Sequence, residues 1–354
     1  MKIEIYSPTI RRKEMDAVLT AMVENRIGPG EQAKFLIQTA REKIRFDYCM
    51  ALRSPAIALF MALKSLNLER GQGVLVSALS PLYYARVIED LGLEPLYCDV
   101  LSSTTCMGRE TVEKVLASKG EGPEPRCIVL HHTLGYLSDT SAFEDLGLPV
   151  IEDCSQSYGT ALKADTETDG VPSVPETNTA ALSIIGLEER DMLTSGGGAL
   201  LYSMSRRDGA ALRSMGDLVP EYGLPDMNAA MAVVQFREAA KNLLKRREIA
   251  RLYTQSSLRT RHKRFIQSDE TEYNNYAFPL ILETGMKDVK AYARRKDIAV
   301  ESAFDNTLIG SGMVPPEKCP EAYSLSLRTV LFPIYPRLGA TDAGKVAKLI
   351  LTLP

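Results

Sequence analysis

The chain lacks the cysteine pattern of a zinc ribbon or a redox motif. Its six cysteines (Cys49, Cys98, Cys106, Cys127, Cys154, Cys319) include no CxxC pair, and its three histidines (His131, His132, His262) are not spaced with them as metal ligands. Free thiols in a reducing cytoplasm are expected from that usage. No apolar stretch approaches the length that spans a bilayer, so no membrane association is expected. The start, Met1-Lys2-Ile3-Glu4-Ile5-Tyr6, shows no charged region leading into an apolar run, so no secretory signal is read there. An excess of charge of one sign is missing too. With 42 basic against 45 acidic residues the formal net charge is -3, which excludes the broad basic footprint of a nucleic-acid binder. Internal repeats and low-complexity tracts are also missing.

What is present is an alternation of helical and strand patterns. Helical periodicity covers Glu14 to Asn25, Lys34 to Lys43 and Ala56 to Leu66. Strand-like runs follow at Gly73–Ser77, Glu94–Val100, Arg126–His131 and Pro149–Asp153, with helices expected at Tyr83–Leu91, Thr111–Ser118 and Ser141–Leu146. Near-continuous apolar strands between helices indicate an α/β fold with a mainly parallel sheet covered on both faces. Such sheets place ligands at their carboxyl ends, where Asp99, His131, His132 and Asp153 fall. Residues Ala161 to Thr179 are polar and aperiodic, hence an expected exposed loop. Met227 to Arg251 reads as a long amphipathic helix. Its cations Lys241, Lys245, Arg246, Arg247 and Arg251, interrupted by Glu248, are expected to form a solvated face. A smaller α+β segment follows, including Tyr276–Leu282.

Several segments carry a resemblance. Ile151-Glu152-Asp153-Cys154-Ser155-Gln156-Ser157-Tyr158-Gly159 is similar to an EDxAQxxG signature, and His132-Thr133-Leu134-Gly135 to a histidine-x-x-glycine strand end. Arg26–Gly30, Ser195-Gly196-Gly197-Gly198, Met227–Phe236 and Leu331–Leu338 follow in the matching order. Together they resemble the DegT/DnrJ/EryC1/StrS sugar aminotransferases over almost the whole chain. The resemblance implies a fold type I pyridoxal-phosphate (PLP) transferase: a seven-stranded-type sheet sandwiched by helices in a large domain (1–235), then a small C-terminal α+β domain (236–354). It also implies a homodimer, because that family builds its site across two subunits.

The same resemblance marks where this chain departs from the family. The Schiff-base lysine of the family stands eight residues before the last glycine of the glycine-rich segment, and here that position is Arg190. A guanidinium stays protonated and cannot act as an amine nucleophile. No lysine occurs from Ala164 to Ala240, and Lys163 is not placed within reach by anything in the sequence. Asp153 falls where the family carboxylate meets the pyridine nitrogen, and Gln156 where a side chain faces the ring hydroxyl. The phosphate turn reads Ser54-Pro55-Ala56: Ser54 remains as a helix N-cap, Pro55 removes a donor N–H, and Ala56 lacks a hydroxyl. Ile185, Glu221 and Gly223 replace the family's serine, asparagine and arginine. Tyr83 or Tyr84 is positioned to offer the ring a face. His131 and His132 are read as hydrogen-bonded strand-end residues rather than proton carriers. The acidic residues Glu188, Glu189 and Asp191 are read as a solvated loop face.

Loss of the lysine, two hydroxyls, the asparagine and a turn amide implies a homologue unable to perform standard transamination. It would serve as a partner, regulatory or ligand-binding protein in nucleotide-sugar or polysaccharide metabolism, as a homodimer or a heterodimer with an active paralogue, with a nucleotide sugar as a candidate ligand. The other reading is a diverged PLP-dependent aminotransferase or dehydratase that holds the cofactor non-covalently at Asp153, Gln156 and Ser54.

Overall fold

The computed structural model describes residues 2–102, 104–117, 122–163, 180–216 and 218–354. Two helices, α1 (Arg12–Val23) and α2 (Glu31–Arg41), precede β1 (Tyr48–Leu52) and α3 (Pro55–Ser65). Ser54 and Pro55 explain where α3 starts: the serine hydroxyl accepts from Ile57 N at 3.3 Å, and the proline sits at the first helical position, where no N–H is needed. The alternating unit then runs β2 (Gly73–Ser77), α4 (Tyr83–Asp90), β3 (Glu94–Cys98), α5 (Arg109–Ala117), β4 (Pro125–His131) and β5 (Val150–Asp153). A short strand β6 (Ala161–Leu162), then β7 (Leu182–Gly186), β8 (Ala199–Ser203) and α6 (Arg206–Ser214) lead to α7 (Asp226–Ser257). The C-terminal part holds β9 (Thr271–Glu272), β10 (Phe278–Ile281), α8 (Met286–Arg295), β11 (Glu301–Ser302), α9 (Pro320–Arg328), β12 (Thr329–Phe332) and α10 (Ala340–Leu351).

The main sheet has seven strands in the order β1-β8-β7-β5-β4-β2-β3, parallel at every pairing except those of β8, which runs antiparallel to β1 and β7. Every residue of β2, β5, β7 and β8 is buried, as expected of strands covered on both faces. The register sets His131 of β4 beside Asp153 of β5, and Asp153 beside Ile184 of β7, so polar groups converge at one carboxyl edge. A second, antiparallel sheet, β10-β12-β11, builds the smaller core with Tyr253, Val289 and Val346.

The 32-residue α7 runs without interruption through residues 235 and 236. Its first half (Ala229, Ala232, Val233, Phe236) packs with Leu36 and Tyr202, whereas Ile249, Ala250 and Tyr253 belong to the core of the second sheet. The basic stretch on this helix is not a uniform solvated face. Arg246 is buried, and its Nη1 donates to the carbonyls of Asn275, Tyr276 and Ile334 at 3.3, 3.0 and 2.9 Å. Arg247 turns to Glu272 at 2.6 Å. Both lie on the inner side of a helix whose outward positions, Lys241 and Arg251, stay exposed. The expected loop over Ala161–Thr179 begins instead as β6, paired antiparallel with β9, and residues 164–179 lie outside the described residues. Among the described residues, no helix is long and apolar enough to cross a membrane.

Candidate functional site at the carboxyl edge of the sheet

Asp153 ends β5 and is 1 % exposed. Its Oδ2 accepts from Tyr84 Oη at 2.6 Å and from Tyr83 Oη at 3.2 Å. Its Oδ1 accepts from Ser155 N at 2.9 Å and from the Ser155 hydroxyl. An ionised carboxylate offers about four acceptor positions, and here four protein donors claim them. Burial, and then the Asp153 charge, push both phenols well above their usual range, so Tyr83 and Tyr84 remain protonated donors.

Ser155 connects this wall to the next. Its hydroxyl also accepts from Gly186 N at 2.7 Å, where β7 gives way to the loop that carries residues 187–198. In that loop Arg190 and Asp191 part company. Arg190 is 51 % exposed, with Nη1 on Glu301 Oε1 at 2.7 Å and its guanidinium 5.8 Å from the Tyr6 ring centre. Tyr6 in turn donates to the Glu189 carbonyl, and burial raises its phenol to about 12. Asp191 turns inward, and Glu188 N donates to its Oδ2 at 2.8 Å. Burial, with Asp153 and Glu188 nearby, raises the Asp191 carboxyl to about 8. The solvated-face expectation for this acidic run therefore fails at Asp191, while Glu189 is exposed as expected. Gly186 makes room for the inward turn: a β-carbon there would collide with the Asp191 carboxylate and lie 2.7 Å from the Ser155 hydroxyl.

A cavity of about 310 Å³ opens in front of these groups, lined by His131, Gln156, Arg190, Asp191, Tyr276 and Glu301 among others. His131 shares a 2.8 Å hydrogen bond between Nδ1 and Thr133 Oγ1, and burial lowers it to about 4, so it is a neutral imidazole at pH 7. Gln156 points Oε1 at Leu134 N, 2.7 Å away. Ser54 and Lys163 do not line this cavity. The Ser54 hydroxyl accepts from Ile57 N as the cap of α3, and Lys163 follows β6 with its N–H on the Glu270 carbonyl at 2.7 Å.

His132 lies behind the site rather than in it. Ser138 N donates to its Nδ1 at 3.1 Å, which leaves the proton on Nε2 to bind Glu152 Oε1 at 2.6 Å. Cys154 brings a third potential ligand, with the three ligating atoms within 4.8 Å of one another, all buried. Sequence spacing showed no such cluster, because it forms across adjacent strand ends. Both His132 nitrogens are already engaged within the protein, so the arrangement reads as a buried hydrogen-bonded pair.

PLP requires a carboxylate for its pyridine nitrogen, a cradle for its phosphate and an amine to hold its aldehyde. Asp153 has no acceptor position left for a pyridinium. The turn at Ser54 offers one hydroxyl, whose acceptor side caps α3, followed by a proline with no N–H and an alanine with no hydroxyl. Among the described residues, Arg190 is the single cation on the cavity wall, it is paired with Glu301, Asp305 lines the same wall, and no lysine lines the cavity. These residues do not fit the cofactor.

The family model for DegT/DnrJ/EryC1/StrS aminotransferases matches residues 8–171 and 201–351. The chain belongs to that family. The matched spans leave out residues 172–200, the stretch that carries Ile185, Gly186, Arg190 and Asp191. A dTDP-4-dehydro-2,3,6-trideoxy-D-glucose 4-aminotransferase of Saccharopolyspora spinosa is 23% identical over 98% of this chain and 95% of its own length. An L-glutamine:2-deoxy-scyllo-inosose aminotransferase of Streptomyces fradiae is 27% identical over 44% of this chain, and the match spans about a third (34%) of that relative's length. Among solved structures, an aminotransferase of Brucella abortus superimposes with a TM-score of 0.82 at 21% identity, covering 96% of this chain and 94% of its own. One from Streptoalloteichus hindustanus reaches 0.84 at 18%, covering 99% and 98%. These likenesses establish the fold, the mostly parallel seven-stranded sheet of the fold type I PLP aminotransferases.

Proposed function

We propose that this member of the sugar aminotransferase family works without Schiff-base chemistry, as a ligand-binding or regulatory homologue in nucleotide-sugar or polysaccharide metabolism. The observation that carries the reading is the closed set of four donors on Asp153, formed while Arg190 turns out to Glu301. The nucleotide-sugar setting is supported by the name of the S. spinosa relative. Six buried, unpaired cysteines support a reducing, cytoplasmic setting.

The protein acts as a homodimer in this reading, with a heterodimer with an active paralogue as the other arrangement. Met15, Leu19 and Met22 of α1, each about half exposed at 51%, 55% and 51%, form an apolar stripe at helical spacing that suits a second copy. Light scattering of the purified chain, and co-purification with a co-expressed paralogue, distinguish the two.

Absorbance in the near-ultraviolet and visible range, before and after PLP and then borohydride, tests the chemical part. No saturable cofactor band is expected. A saturable band that borohydride does not fix to the chain would replace this reading with that of a diverged enzyme holding PLP non-covalently.

A further inference from the structure

A second cavity, of about 230 Å³, shares no lining residue with the one at the carboxyl edge of the main sheet. It lies between α8 and the N-terminal segment, where Ile3 pairs in parallel with Ile298. Ile3 N donates to Asp297 O and Ala299 N to Ile3 O, both at 2.8 Å, so Lys2 is fixed beside the end of α8. Lys290 and Arg294 reach the same cavity from one face of the helix, because they stand four residues apart. Three cations thus meet one acid, Asp297, and Ile298 to Val300 complete the wall.

Few groups of the protein neutralise those cations. Among the described residues no hydrogen bond or ion pair engages the Arg294 guanidinium. Lys290 donates to Ser302 Oγ at 2.7 Å, and an ammonium carries three donors, so two are left. Lys2 pairs with Glu4 at 3.0 Å, but both side chains are more than half exposed, and such a pair is worth little. The carbonyls at the end of α8 would repel an anion, yet they are already engaged. Ala293 O accepts from Lys296 N and Ile298 N, and Arg294 O from Asp297 N. Like charges at this helical spacing repel, and an anion between them turns the repulsion into attraction. Arg295 and Lys296 stand apart from the cavity, with their charged ends over the Tyr292 ring.

We propose that this cavity binds a small phosphate-type dianion, free phosphate or the head of a phosphomonoester, on Arg294 and the ammonium groups of Lys2 and Lys290. A planar guanidinium presents paired donors that match two phosphate oxygens, and the ammonium groups add point charges around them. The volume is below the roughly 300–1,000 Å³ of drug-sized ligand sites, which suits a phosphate with a short substituent better than a nucleotide. Asp297 opposes the anion and sets a limit on its affinity. The proposal does not depend on whether PLP occupies the other cavity.

The test is calorimetric titration of the full chain with inorganic phosphate and with glycerol 3-phosphate, at fixed ionic strength and about pH 7.5, where both are mainly dianions. Saturable binding at one site is expected. Tighter binding of the glycerol ester assigns the site to a phosphomonoester, and tighter binding of inorganic phosphate assigns it to the free ion. Arg294→Gln is expected to weaken binding at least about tenfold. Asp297→Asn is expected to tighten it, since asparagine tolerates the left-handed backbone of that position (φ 55°). Arg295→Gln removes the same charge one residue away, outside the cavity, and is expected to leave binding unchanged. All three positions are exposed, so the substitutions spare the core. No saturable binding of either probe, or an equal loss in Arg294→Gln and Arg295→Gln, would overturn the proposal. Binding unchanged by Arg294→Gln would overturn it too, by placing the phosphate elsewhere on the chain.

Discussion

Tyr84 and Asp153 share a 2.6 Å hydrogen bond across 69 residues of sequence, the phenol donating to the Oδ2 that Tyr83 also approaches at 3.2 Å. The pair couples the first turn of α4 to the last residue of β5. It also ties a buried carboxylate at the edge of the sheet into the protein's own interior. Two phenols and Ser155 already meet the hydrogen-bonding needs of this carboxylate.

Tyr84→Phe removes a buried donor to a carboxylate, which costs about 1.5–3 kcal/mol of stability. Urea unfolding of the variant is expected to show a lower midpoint with an unchanged slope. Tyr83→Phe, whose bond is longer, is expected to lose less. An equal loss in both would mean that the 2.6 Å bond is not the dominant one.

On the proposed reading, a lysine at position 190 alone is expected not to give Schiff-base chemistry. Arg190→Lys places an amine on a side chain half in solvent and beside Glu301, while Asp153 stays saturated. At equimolar PLP followed by borohydride, peptide mass mapping is expected to show no pyridoxyl adduct at position 190. A stoichiometric adduct there would overturn the proposal that the pocket does not hold PLP.

Asp191 sets a pH dependence whose sign follows from its raised carboxyl. The folded value is about 8 against roughly 3.9 for an unfolded aspartate. Between those values the unfolded chain has lost the proton that the folded chain keeps, so this group's contribution to stability falls as pH rises from about 4 to about 8. Asp191→Asn removes the dependence. The variant is expected to match the wild type near pH 4 and to exceed it above pH 8, by on the order of 2 kcal/mol once partial exposure is discounted. Chemical denaturation at pH 5, 7 and 8.5 reads the difference, and a gap that does not widen with pH would refute the assignment.

Much of this architecture was legible in the sequence because it rests on local patterns. The runs at Gly73–Ser77 and Arg126–His131 became β2 and β4 within a residue, since strands buried on both faces are apolar throughout. Ser54-Pro55 marked the start of α3 by the same local logic. The side-chain partnerships were not legible. Tyr84 meets Asp153, and Gly186 shelters Asp191, through the packing of α4 and β7 around β5. Charge runs misled for a related reason. Arg246 and Asp191 look solvated in sequence, but helix phase carries one inward and a loop turn carries the other.

Gly186 is the position on which the Asp191 arrangement depends. It ends β7 where a β-carbon would meet the Asp191 carboxylate and the Ser155 hydroxyl, and its N–H donates to that same hydroxyl. Gly186→Ala puts a β-carbon into both. Both lie too close to it, so Asp191 must shift off the Glu188 N–H, Ser155 off Asp153, or both, at a cost of about 1–3 kcal/mol. If Asp191 is the group displaced, truncating it should relieve the clash. The double variant Gly186→Ala/Asp191→Ala is then expected to be more stable than the sum of the two single losses predicts, by at least about 0.5 kcal/mol. Additive losses would mean that Ser155, and with it the Asp153 network, is what the new methyl group disrupts.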